Sequence, residues 1–115
     1  MLGFTIILFL VTAVGGIALA IKFFKKQFPS AALATAHGLL AVVSMLMLVV
    51  TVITFDSDKK IISSALATFI LAIFVGFYIV SRHFKKIIPS PIYIVIHALL
   101  AVSGVAMLGY VAIGI

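Results

Sequence analysis

The chain contains no cysteine and only two acidic residues in 115 positions, Asp56 and Asp58. The missing thiols exclude disulfides, iron–sulfur clusters and thiolate zinc sites. The near-absence of acid leaves no carboxylate inside any apolar stretch. Charge of either sign is scarce: charged residues make up 9% of the chain and hydrophobic ones 66%, with a mean hydropathy of +1.50. A soluble domain of this size needs far more polar surface, so the composition defines a membrane protein. The formal net charge is +6, but six of the eight basic residues lie in two short turns between apolar segments. That pattern carries orientation information for a lipid bilayer and excludes a nucleic-acid partner.

What is present is four apolar runs and a repeat. Residues 1–21 form an uncharged run long enough to span the hydrocarbon core as a helix. Ala18-Leu-Ala20 has the look of a signal-peptidase site, but the positively charged start of a signal peptide is missing, so a retained span is expected. A basic turn follows, and Pro29 suits the first turn of the next helix, where its missing N–H would be unpaired anyway. That second helix is expected over 30–55, followed by a polar turn at 56–60 whose charges cancel. A third span covers 61–81, a second basic turn follows, and a fourth span covers 90–115. The basic side holds Lys22, Lys25, Lys26, Arg82, Lys85 and Lys86, and the other side only Lys59 and Lys60. The positive-inside rule then puts both basic turns in the cytoplasm and both termini outside a bacterial cytoplasmic membrane.

The first basic turn reads KFFKKQFPS over 22–30, and sixty residues on the second reads RHFKKIIPS over 82–90. Comparing each residue of 1–55 with its counterpart sixty later gives fifteen identities, ten of them within 22–42. Apolar composition supplies several of these, but not the shared Lys-Lys, Pro-Ser and His. The two halves, 1–55 and 61–115, each hold two spans and enter the membrane alike. They make a parallel repeat about an axis along the membrane normal. The expected fold is therefore all-α and integral to the membrane, a single domain over 1–115. Its four transmembrane helices form an antiparallel bundle of two helical hairpins related by that two-fold repeat.

The repeat matches His37 with His97. Each opens a similar run, HGLLAV and HALLAV, seven residues after its Pro-Ser. His37 lies six residues beyond Ala31, roughly 9 Å into the membrane, and His97 lies at the same depth. Counting back six residues from Lys22 and Arg82 on the other two spans reaches Gly16 and Gly76. One layer thus holds two imidazoles and two residues without side chains.

Four readings compete for that layer. The bland one is helix packing through histidine hydrogen bonds, with glycines allowing close approach. Ionisable groups inside a membrane are costly, however, and mark function by default. The favoured reading is a b-type haem with His37 and His97 as axial ligands, one on each face of the iron. Gly16, Gly76, Ala34, Ala41, Ala101 and Gly104 would leave room for the flat ring. Lys25, Lys26, Arg82, Lys85 and Lys86 are the candidates to receive its propionates. A bare zinc or copper ion would be short of ligands with two histidines alone. Met47 and Met107, ten residues of helix away from the histidines, are about 15 Å off and on another face. The fourth reading is transport. Four spans in this length resemble the small multidrug resistance exporters in outline, but proton-coupled export in that family relies on a membrane-embedded glutamate, which no span here contains.

Iron ligated by two histidines has no open position, so an electron carrier is expected rather than a catalyst, with quinol or a redox protein as partner. A homo-oligomer is compatible with the sequence, although the G-x-x-x-G spacing of close helix dimers is absent. His83, where the first half has Phe23, could pair with a propionate or be a solvated turn residue, and the solvated residue is expected. Tyr93 is expected at the membrane interface.

Overall fold

The computed structural model describes residues 1–55 and 58–114. Asp56 and Ser57, two of the five residues of the expected polar turn, and Ile115 lie outside the described residues. Among the described residues four helices follow one another: α1 (Leu2–Phe24), α2 (Ala31–Thr54), α3 (Lys59–Phe84) and α4 (Pro91–Ile113). Each is long and apolar enough to cross a membrane, and their lengths come to about 35–39 Å at 1.5 Å per residue.

The helix ends differ from expectation in an instructive way. Helices α1 and α3 run three residues further than their apolar stretches, taking in Lys22 and Arg82. A cation in the last turn faces the negative end of the helix dipole, so charge there favours continuation rather than termination. Both helices then close alike. Lys26 (φ 56°) and Lys86 (φ 60°) adopt the left-handed conformation. The N–H groups of Gln27 and Ile87 return to the carbonyls of Lys22 and Arg82 at 2.9 and 3.0 Å, the Schellman arrangement that satisfies the last carbonyls. Pro29 stands outside the helix it was expected to open. Ser30 is the N-cap, its Oγ accepting from the Leu33 N–H at 3.1 Å, which fixes the start one residue later. In α4 the proline inside the first turn is Pro91.

Helix α1 packs chiefly on α2 and α3 on α4, with lighter seams between α1 and α4 and between α2 and α3. Many of the buried residues stand sixty positions apart, whereas Phe23 and Ile94 are buried opposite half-buried counterparts, His83 and Ala34. Leu2, Thr5, Phe9 and Thr12 are buried on α1, and Ile62, Ala65, Phe69 and Ala72 on α3. Likewise Ser44, Leu48 and Thr51 are buried on α2, and Gly104, Leu108 and Val111 on α4. Side chains reach across the diagonals that the backbones leave apart. Phe9 and Phe69 stack with centroids 4.0 Å apart and planes 7° from parallel, which closes the centre between α1 and α3.

Polarity is distributed for lipid rather than water. The buried polar side chains are the hydroxyls of Thr5, Thr12, Ser44 and Thr51, while Val14, Ile53, Phe74 and Ile113 point outward, each more than 60% exposed. Each buried hydroxyl donates to the carbonyl four residues earlier in its own helix, so none is left unsatisfied where no water is available. The Oγ atoms of Thr5 and Thr51, and those of Thr12 and Ser44, also meet across α1 and α2 at 3.2 Å.

Candidate ligand site at the paired histidines

His37 and His97 project from α2 and α4 into the centre of the helices, half-buried, at the level where the tight interior ends. Each is held by the same bond. The Nδ1 of His37 lies 2.8 Å from the Thr12 carbonyl oxygen on α1, and that of His97 lies 2.8 Å from the Ala72 carbonyl oxygen on α3. A carbonyl can only accept, so Nδ1 of both rings carries the proton and donates it. A helix carbonyl already bonded four residues on has a second lone pair available, but the side chain four residues on normally covers it. Those residues are Gly16 and Gly76. A Cβ built there would lie 3.0 Å from His37 Cε1 and 3.1 Å from His97 Cε1. The glycines therefore seat the imidazoles themselves, and glycine plus carbonyl form one device in each helix pair. Gly15, which the sequence does not single out, also faces His37; a Cβ there would lie 3.6 Å from Nδ1.

With both Nδ1 protons committed, both Nε2 atoms are lone-pair acceptors and cannot hydrogen-bond each other. No buried side-chain nitrogen or oxygen among the described residues is sealed without a partner, so these Nε2 atoms open onto space. Two cavities supply it, and both histidines line both. The one toward the basic turns has a volume of about 170 Å³, and Gly16, Gly76, Ala34 and Ala41 line it. The one on the far side has about 400 Å³, floored by Phe9 and Phe69 and lined by Ala41 and Ala101. The larger alone is within the range of about 300–1,000 Å³ usual for small-molecule sites. Exposed residues on the walls show where each opens: Val42 and Phe77 place the first at the α2/α3 seam, and Leu10 and Val102 place the second at the α1/α4 seam.

Other residues singled out from the sequence fall elsewhere. Gly104 is buried against the Phe69 ring, three atoms of which lie 2.6–2.9 Å from where its Cβ would be. It makes room for an aromatic core, not for a ligand beside the histidines. Lys25, Lys26, Lys85 and Lys86 are exposed, and neither cavity is lined by a lysine or arginine. Arg82 donates from Nε and Nη2 to the Tyr78 hydroxyl at 3.1 and 2.9 Å, and Tyr78 packs against Tyr93. His83, expected in solvent, is half-buried and lines the smaller cavity. Met47 and Met107 line neither cavity; Met107 packs against the core, and Met47 is half-buried.

Fold and site together define a multi-pass, all-helical membrane protein with two histidines facing a shared apolar space. No protein-family model matches the chain, and neither a curated protein nor a solved structure is similar to it. The functional reading therefore rests on the chain's own chemistry.

Proposed function

We propose that the chain is a membrane-embedded b-type cytochrome holding one haem between His37 and His97, and that it carries electrons. The observation that carries this reading is the pair of Nε2 acceptors, unpartnered and facing one space, with ring centroids 6.3 Å apart. A first-row metal sits about 2.0–2.1 Å from an imidazole nitrogen, so two rings on opposite sides of one metal have centroids about 6 Å apart. Two imidazole lone pairs opening onto one space suit a metal centre between them, although a water donating to both would also satisfy them. The Nδ1–carbonyl bonds are the usual outer support of a ligating histidine, fixing the tautomer and strengthening the free nitrogen as a donor. A bare ion needs further ligands, and among the described residues no group of three His, Cys, Asp or Glu comes together. Haem iron needs only the two axial positions filled.

The residues that would hold the group are His37 and His97 at the iron, with Gly16, Gly76, Ala34, Ala41 and Ala101 along the walls and the Phe9–Phe69 stack beneath. A haem ligated on both faces supplies reversible one-electron chemistry and leaves no site for oxygen activation. The chain's own work is to orient the imidazoles, exclude water and present the site sideways to lipid, where quinol or a redox protein would meet it. The matched burial sixty residues apart supports a two-fold repeat of antiparallel hairpins. Pairings such as Thr5 with Thr51 and Thr12 with Ser44 run in opposite senses along α1 and α2, as such a hairpin requires. The excess of lysine and arginine at 22–26 and 82–86 sets the orientation: basic turns in the cytoplasm of a bacterium and both termini outside. A cysteine introduced at Lys25, in a chain that has none, should resist a membrane-impermeant maleimide in intact cells; ready labelling would reverse the orientation.

One observation favours a second reading, a small structural or accessory subunit. The glycines are explained by the imidazoles alone, so the histidines also serve as ties between helices. The two readings separate in a cuvette. The detergent-purified protein from haem-replete cells should be red, with a sharp reduced-minus-oxidised spectrum that disappears in His37→Ala and in His97→Ala. A colourless, folded, haem-free preparation would leave only the packing role, and stoichiometric zinc or copper would point to a bare metal.

A further inference from the structure

We infer that His83 receives the carboxylate edge of the bound haem, a role that rests on the haem reading above and for which the sequence favours the lysines and Arg82 of the basic turns. The smaller cavity is apolar along its whole wall except for three imidazoles. His37 and His97 stand at its inner end. His83 follows Gly76 by seven residues on α3, which returns it to the same stripe of the helix about 10 Å nearer the basic turns. That separation is comparable with the reach from the centre of a porphyrin to its carboxylates. The cavity thus has imidazoles at its inner end, apolar walls, and one polar side chain at the other, the polarity that the carboxylate edge of a tetrapyrrole would meet.

The ring of His83 is held for such a role. Phe23, from the matching position of α1, meets it edge-on with centroids 6.0 Å apart and planes at 86°. Phe28, from the first basic turn, lies against it at 5.9 Å and 27°. The Lys86 ammonium sits 5.9 Å from the Phe28 ring centre, so a cation stands close to the same mouth. Its neighbour Arg82 is taken up by Tyr78. An imidazole N–H beside a carboxylate forms a charge-assisted hydrogen bond, and a low-dielectric mouth strengthens it.

The chain offers its own control, because Phe23 occupies the matching place in the first half. The test titrates the full-length haem-free protein, purified in detergent from haem-starved cells, with haem b and with its dimethyl ester, whose carboxylates are blocked. In the wild type haem b should bind on the order of tenfold more tightly than the ester. In His83→Phe that preference should vanish while ester affinity stays unchanged, which also shows that the variant folds; His83→Gln, which keeps a donor, should recover part of the preference. A His83→Phe protein that keeps the full preference overturns the inference, as does one that loses both ligands equally. A wild type that binds neither ligand overturns the haem reading itself, and this inference with it.

Discussion

Between α1 and α2, Thr5 meets Thr51 and Thr12 meets Ser44 through hydroxyls at 3.2 Å. Sixty residues on, the same places hold Ala65, Val111, Ala72 and Gly104, and every one of them is buried too. At those places no side-chain hydroxyls link α3 and α4, and the Phe69 ring is instead driven onto the bare backbone of Gly104. Membrane helices gain nothing from hiding apolar surface from lipid, so close packing and interhelical hydrogen bonds are the two means available. Below the histidine layer each helix pair has adopted a different one. Against that difference, the histidine layer is the same in both: one Nδ1–carbonyl bond of 2.8 Å and one glycine four residues beyond the acceptor. Where only cohesion is required, the two halves have found separate solutions. Where the imidazoles are aimed, they have not.

The largest effect that tests this contrast is expected at Gly104. A methyl group there would sit within 2.9 Å of three Phe69 ring atoms, and that ring cannot retreat because Phe9 is stacked on its other face at 4.0 Å. Overpacking of this kind costs about 1–3 kcal/mol, so Gly104→Ala should lower the unfolding midpoint in detergent clearly. Phe69→Leu in the same chain should restore much of the loss. The matching change, Ser44→Ala, should be mild, about 0.6 kcal/mol, because Thr12 Oγ still donates to the Leu8 carbonyl at 2.8 Å and no buried donor is stranded. Equal losses at the two positions would mean that the halves are held together alike after all.

How much of this is legible in the sequence depends on which kind of information each residue needs. Four apolar runs and two basic turns are written directly in composition, and the helices follow them to within a few residues. The layer of His37, His97, Gly16 and Gly76 emerges from counting helix rise. The same count, carried further, places Gly104 correctly. It lies thirteen residues beyond Pro91, and thirteen residues before Arg82 stands Phe69. Helical phase alone puts Gly104 on the histidine stripe, and phase says nothing of depth. Three features are out of reach for other reasons. The Thr12 and Ala72 acceptors are backbone atoms and carry no side-chain signature. Gly15 has Val75 as its counterpart, so the repeat does not mark it. The repeat also argues against His83, whose counterpart is Phe23, yet the fold brings those two rings together at one cavity mouth. The lysines fail as cavity residues because the helices continue past the apolar runs, carrying the basic turns beyond the space between them.

The smaller effect concerns the part that the two halves share. Gly16→Ala and Gly76→Ala each place a methyl group about 3 Å from an imidazole Cε1, so each ring must give by a few tenths of an ångström and stretch its bond to the carbonyl. A cost of about 1 kcal/mol is expected for either change, together, on the proposed haem reading, with a lower haem content and a broadened reduced spectrum. Equality is the informative outcome, since the seats are alike at 3.0 and 3.1 Å. They are not identical in their surroundings: His37 has Gly15 beside it, while the matching position on α3 is Val75. If the room at Gly15 lets His37 slide, Gly16→Ala will be tolerated and Gly76→Ala will not. In that case the first half would be the adaptable ligand and the second the fixed one. Gly15→Val, which copies the second half into the first, should then make Gly16→Ala as costly as Gly76→Ala. Measuring haem retention in the three variants decides whether the two histidines are one site repeated or two sites with different tolerances.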